Sequence, residues 1–187
     1  MPSVTIEASG RHVHLSAQDL ATLFGEGYEL TPKKWLSQPG QFLCEERVGV
    51  VGPKGAFDHT GIIGPVRKES QVELSFTDAR AIGVTAPIRE SGDLDGSTGI
   101  HLVGPKGEID IEKGAIIAMR HIHFTPEDAE KFGVKDKQIV SVKVGGDRGL
   151  VFGATVARVS PNYATAMHID FDEANAIAGA TEGEVIA

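Results

Sequence analysis

Short apolar runs separated by glycine fill the middle of the chain. They are "RVGVVGPKG" from Arg47, "TGIIGPVRK" from Thr60, "QVELSF" from Gln71, "GIHLVGPKGEIDI" from Gly99 and "GAIIAMRHIHF" from Gly114. Runs of this length, bounded by glycine and proline, predict β-strands joined by tight turns. "IVSVKVG" (139–145) and "GLVFGATVARVS" (149–160) carry the pattern onward, with "GGDRG" (145–149) as the hairpin turn between them. The pentapeptide "VGPKG" occurs at 51–55 and again at 103–107, each time followed by another strand-like run. Helical patterns are brief: "SAQDLATLFG", "FTDARAIGV", "TPEDAEKFGV" and "DFDEANAIAG". The tail "GATEGEVIA" is expected to fray.

The four helices share a lead-in. Aligned, the segments read H-L-S-A-Q-D from His14, E-L-S-F-T-D from Glu73, H-F-T-P-E-D from His123 and H-I-D-F-D-E from His168. Each is a metal-ligand residue type, one apolar residue, an N-cap residue (Ser16, Ser75, Thr125, Asp170), two variable positions and an acid placed as in a capping box. Pro126 occupies a first helical position, where its missing N–H does no harm. The expected architecture is therefore mainly β with internal repeats: two small β-barrels or sandwiches capped by short α-helices.

Composition narrows the function classes. The 187 residues are 41% hydrophobic and 24% charged, enough for a packed core. Twenty-three glycines, nine prolines and 6% aromatics favour strands and turns over a helical bundle. A net charge of -8 with no basic stripe argues against nucleic acid as a partner. No apolar stretch approaches a membrane span, so no membrane association is expected. Cys44 is the sole cysteine, and "MPSVTIEASG" has neither a basic n-region nor an apolar h-region. A reducing, cytoplasmic setting is expected.

The chemistry lies in the histidines. In a strand, residues i and i+2 share a face, so His12 and His14 can converge on one ion, and so can His121 and His123. A single His-x-His is more often a surface or core feature. Two such pairs, with Glu73 and His168 in the same register, favour metal. Six candidates, three per ion, suggest two ions with open positions; the donor set suits Zn, and also Co, Ni or Fe(II). Arg67 follows a Gly-Pro turn six residues before Glu73. Beside two dications a further cation has a use only if an anion binds there, and a guanidinium matches phosphate or carboxylate. The loop "SGDLDGSTG" (91–99) could line a pocket, and Lys33, Lys34 and Trp35 could hold an anionic nucleotide tail; connection and solvation are the commoner roles of such segments.

The motifs "SGRHVHLS", "GPVRKESQVELS", "RHIHFTPEDA" and "AMHIDFDEANA", running from residue 9 to about 176, resemble the PduL-type phosphotransacylases (phosphate propanoyltransferases). The resemblance implies acyl-CoA + phosphate ⇌ acyl phosphate + CoA at two zinc ions. It implies that His12, His14 and Glu73 hold one zinc, that His121, His123 and His168 hold the other, and that Arg67 contacts phosphate. It assigns coenzyme A contacts to Glu7, Ala8, Ser9, Lys34 and Asn175. It also implies two β-barrels capped by short α-helices, a central barrel over 11–118 and a second barrel over 119–187 that the N-terminal strand, 1–10, completes. A homo-oligomer is expected. Two departures stand out. Gly61 occupies a position where family members often carry an arginine that helps hold CoA. The amphipathic N-terminal extension of members packaged in bacterial microcompartments is not found ahead of the first strand.

The expected mechanism is direct phosphorolysis of a short acyl-CoA, acetyl or propionyl, with positioning and electrostatics as the catalytic terms. No Ser-His or Cys-His pair is evident, so a covalent acyl-enzyme is not expected. The alternatives are a dinuclear metallohydrolase of phosphate esters or thioesters, and a non-catalytic zinc-binding structural module.

Overall fold

The computed structural model of the chain describes residues 2–187, which divide into two compact units. One comprises the N-terminal segment to Gly10, Ser37–Pro39 and Met119–Ala187; the other comprises Arg11–Leu36 and Gly40–Ala118. Strand β1 (Ser3–Ser9) is followed by β2 (His12–His14), α1 (Ala17–Phe24), β3 (Pro32–Trp35), β4 (Phe42–Gly52) and β5 (Gly55–Gly64). Next come β6 (Gln71–Leu74), α2 (Phe76–Ile82), β7 (Ile88–Arg89), β8 (Thr98–Val103) and β9 (Glu108–Ala118). The chain ends with β10 (His121–Phe124), α3 (Pro126–Phe132), β11 (Ile139–Val144), β12 (Leu150–Val159), β13 (Ala166–Asp170), α4 (Phe171–Ala176) and β14 (Glu182–Ile186).

In the Arg11–Ala118 unit, β4, β5, β2, β6, β9 and β8 pair in that order and β8 returns to β4, closing a six-stranded barrel. Strands β3 and β7 add to β4 and β9 outside the ring. In the other unit β1, β13, β10, β12, β11 and β14 close a second six-stranded barrel. The two-barrel, mainly β architecture read from the sequence is thus the one observed.

One rule generates both rings. The repeat is a lead strand, a helix and a hairpin of two strands: β2-α1-β4-β5, β6-α2-β8-β9, β10-α3-β11-β12, and β13-α4-β14 with β1 as its last strand. In all four the lead strand lies parallel to the last strand of its own repeat. Lead strands of mated repeats pair antiparallel, and so do the middle strands. A single repeat has open edges and an uncovered apolar face; two together close a ring and remove both. The fourth repeat takes its final strand from the start of the chain. For that reason the tail does not fray: β14 is paired on one side with β1 and on the other with β11, and Val185 is buried.

Each barrel encloses its own core. Val13, Leu15, Leu23, Ile62, Val72 and Leu102 are central to one, and Ile122, Phe124, Val142, Ala157 and Met167 to the other. The helices begin where the caps predict: Ser16, Ser75, Thr125 and Asp170 accept from the backbone N–H three residues on. The full capping box closes only at α4, where Glu173 returns to the Asp170 N–H at 3.0 Å. Helices α2 and α3 stop on Gly83 and Gly133, whose φ of 77° and 67° lies in the left-handed region that glycine enters without strain. The repeated "VGPKG" also has a reason. The backbone N–H of Lys54 bonds Ile82 at the end of α2, and that of Lys106 bonds Leu23 near the end of α1. A Cβ on Gly52 or Gly104 would overlap those same helix-end carbonyls. Each hairpin turn therefore docks on the helix of the mated repeat.

Candidate active site

Lead strands β2 and β6 pair so that His12 stands opposite Glu73 and His14 opposite Gln71. This register brings three candidate ligands to one place. Nε2 of His12 is 3.5 Å from Oε2 of Glu73, Nε2 of His14 is 3.9 Å from Oε1, and the three ligand atoms lie within 4.8 Å of one another. Ligands ~2.0–2.1 Å from a tetrahedral ion are separated by ~3.3 Å, so small side-chain adjustments would suffice. Nδ1 of His14 lies 3.0 Å from the Ile63 carbonyl. Donating there leaves the Nε2 lone pair facing Glu73, the arrangement that orients a metal-binding imidazole.

The charges at this cluster are set by burial and mutual contact. Burial pushes the Glu73 carboxyl upward, but His12, His14 and hydrogen bonds from His12 and Ser91 outweigh it and hold the group well below the usual carboxylate range. Burial, then the charges of His12 and Arg67, hold His14 well below an ordinary imidazole. Glu73 and His14 therefore present a carboxylate and a neutral nitrogen, the forms in which those groups bind a divalent ion. Ser91 is the hub beside them. It donates to Oε1 of Glu73 at 2.8 Å and accepts from Arg67 at 3.2 Å and Gln71 at 2.9 Å. Gln71 itself donates to Oε1 of Glu73 at 2.6 Å and accepts from the Gly92 N–H. Gly61 lies on β5 directly beside His12.

The second cluster forms by the same pairing. His121 stands opposite His168 and His123 opposite Ala166. Ring centroids are 4.6 Å apart for His121 and His123, 5.0 Å for His123 and His168, and 5.4 Å for His121 and His168. Nδ1 of His121 is 2.8 Å from the Met119 carbonyl, which again leaves Nε2 as the acceptor. Burial, with the charges of His121, His168 and Arg158, lowers His123 to about 2. Its Nδ1 is buried with no hydrogen-bond partner. An unsatisfied buried lone pair costs free energy unless something occupies it, and a metal ion would. The His12, His14 and Glu73 donors, within 4.8 Å of one another, fit Zn²⁺, and the second cluster offers imidazole donors of the same kind. Gln38 and Tyr163 border this cluster, with the Gln38 amide 3.4 Å from Nε2 of His168 and the tyrosine ring 4.2 Å from that of His123.

The remaining candidates are distributed as follows. Glu7, Ala8 and Ser9 lie on β1, where Glu7 is in register with His168 and its Oε2 lies 3.7 Å from Nδ1 of that residue. Asn175 is exposed on α4, which packs on β1. Lys34 is exposed on β3 in the other unit. Cys44 is fully buried and burial pushes its thiol up to about 11, so it presents no ready nucleophile. From the sequence alone Gln38 and Tyr163 have no role, Gln71 falls in a motif without being assigned one, and Ser91 is named only as part of a loop. Among the described residues no helix is long and apolar enough to cross a membrane.

Comparison with known proteins adds a family. A family model described as phosphate propanoyltransferase matches residues 5–180. A phosphate propanoyltransferase of Listeria monocytogenes is 54% identical over 173 residues, covering 92% of this chain and 81% of the relative. One from Enterococcus faecalis is 56% identical over 178 residues, 95% of this chain and 84% of the relative. One from Thermotoga maritima is 57% identical over 176 residues, 94% and 84% of the two chains.

Proposed function

The chain belongs to the phosphate propanoyltransferase family, and from that premise we propose that it is an acyltransferase converting a short acyl-CoA and phosphate into acyl phosphate and CoA at zinc-binding clusters. The observation that carries the metal reading is the His12, His14 and Glu73 set, three donors in one small volume, with Glu73 held as a carboxylate and His14 as a neutral imidazole. His121, His123 and His168 are the second set, supported by the orphaned Nδ1 of His123. When bound, zinc supplies positive charge for the carbonyl oxygen and for the departing thiolate.

The chain's own residues do the rest. Arg67 takes two phosphate oxygens and aims a third at the thioester carbon; Ser91, bonded to both Arg67 and Glu73, keeps that guanidinium in step with the ligand carboxylate. Attack forms the C–O bond, the C–S bond breaks, and the sulfur leaves as CoA thiolate with no acyl-enzyme stage. Burial of Cys44 supports that single-displacement route. Glu7, Ala8, Ser9, Asn175 and Lys34 contact coenzyme A, and propionyl and acetyl groups are the acyl chains. The exposure of Asn175 and Lys34 supports this part of the reading.

A thiol-release assay tests the proposal. Purified protein is given propionyl-CoA or acetyl-CoA with and without phosphate, before and after chelator treatment and zinc restoration. The expected result is CoA release that requires phosphate, yields acyl phosphate, is lost with chelator and returns with zinc. Release without phosphate would make the protein a hydrolase, and no release from fully metallated protein would leave a structural zinc role.

A further inference from the structure

Each His-x-His pair opens on an arginine, Arg11 before His12 and Arg120 before His121. Nη1 of Arg11 donates to Oδ1 of Asp78 at 2.9 Å, and its guanidinium lies 4.0 Å over the ring of Phe57. Asp78 is the third residue of α2, the helix that starts three residues after Glu73. In the other unit Nε of Arg120 pairs with Oε1 of Glu173 at 2.8 Å, and its guanidinium is 5.4 Å from the ring of Phe152. Glu173 is the third residue of α4, which starts three residues after His168. Phe57 and Phe152 both lie on the last strand of their repeats. Two separate barrels therefore make the same three-part contact from the same residue types.

The reciprocal link in each barrel uses a hydroxyl. Ser70, just ahead of β6, donates to Asp19 of α1 and accepts from the Ser16 N–H at 2.9 Å. Thr165, just ahead of β13, donates to Asp128 of α3 at 2.6 Å and accepts from the Thr125 N–H at 3.2 Å. In all four repeats the residue before the lead strand reaches the third-position acid of the mated repeat's helix. Three of these acids are aspartates, one methylene shorter than the glutamate of a capping box, and only Glu173 closes the box while also pairing with its arginine. The lead strands run antiparallel with His12 opposite Glu73 and His121 opposite His168, so the two links of a barrel bracket its ligands from both ends.

We propose that Arg11 and Arg120 are positioning residues of the two metal clusters. Each clamps the turn carrying the histidine pair of one repeat to the turn carrying the third ligand of its mate, through Asp78 and Glu173. The inference rests on the reading of both clusters as metal sites. Partly exposed ion pairs contribute little to global stability, so their role is in geometry, where a supporting partner of a ligand is worth about 10–100-fold in metal affinity.

Cobalt(II) titration of the full chain, followed by its visible absorption, tests this. Arg11→Met keeps the apolar contact with Phe57 and removes the charge; Asp78→Asn removes the charge from the other side; Arg11→Lys keeps it. Arg11→Met and Asp78→Asn are expected to hold their thermal midpoint, to weaken one of two cobalt equivalents by about tenfold or more with an altered band, and to lower kcat at unchanged KM for acyl-CoA. Arg11→Lys is expected to restore most of the affinity. Unchanged cobalt affinity and band in Arg11→Met, or in Asp78→Asn should the first not fold, would overturn the inference and leave the metal reading standing. A wild-type protein that takes up no cobalt would overturn both.

Discussion

Arg67 shows what a single residue contributes and how far its neighbours decide it. Its guanidinium is tied to Ser91, and its charge helps keep His14 neutral. Removing one preorganised donor to a charged reacting group costs about 10²–10³ in turnover. Arg67→Ala is accordingly expected to lose roughly that factor in kcat/KM for phosphate while keeping its full zinc content, measured by metal analysis beside the thiol-release assay; normal phosphate saturation would remove Arg67 from the site. Arg67→Lys should recover only part, because an ammonium cannot bind phosphate as a fork. At this scale the candidate ligands were readable, since i, i+2 spacing and a shared lead-in are local. Gln71 and Ser91 were not, because a hydrogen bond between residues 20 apart leaves no spacing to read.

At the scale of elements, the cap motif carries the turn that presents each ligand. Thr125 caps α3 two residues after His123, accepting from the Asp128 N–H at 3.1 Å. Thr125→Ala leaves that N–H without its acceptor and is expected to cost about 1 kcal/mol, lowering the thermal midpoint by about 2–4 °C for a chain of this size. A calorimetric midpoint equal to the wild type's would show that the cap carries no stability. Helix starts were legible because a cap is chemistry within four residues. Strand β3 was not: all four of its residues are exposed, so it shows neither alternation nor an apolar run, and only its pairing with β4 makes it a strand. The tail was misjudged for a related reason, as both partners of β14 lie far away in the chain.

For the whole molecule, β1 is the closing piece of a ring. It contributes Val4 and Ile6 to the second core and pairs with β13 and β14. Deleting residues 1–10 would leave two unpaired edges and a breached core. Hydrogen exchange is expected to show lost protection across 119–187 while the strands of 11–118 stay protected; equal protection in both segments would overturn that account. The four-fold lead-in, the mainly β class with short capped helices and the candidate ligand positions were determined by the sequence alone, because each rests on periodicity and caps that act within a few residues. The tertiary structure decided which repeats mate, that the fourth repeat borrows its last strand from the first residues, and that the residue ahead of each lead strand answers an acid on the mated helix. Those are contacts between segments far apart in sequence: 67 residues separate Arg11 from Asp78, and Ser3 pairs with Glu184. Their partners are selected by barrel closure, which no local pattern encodes.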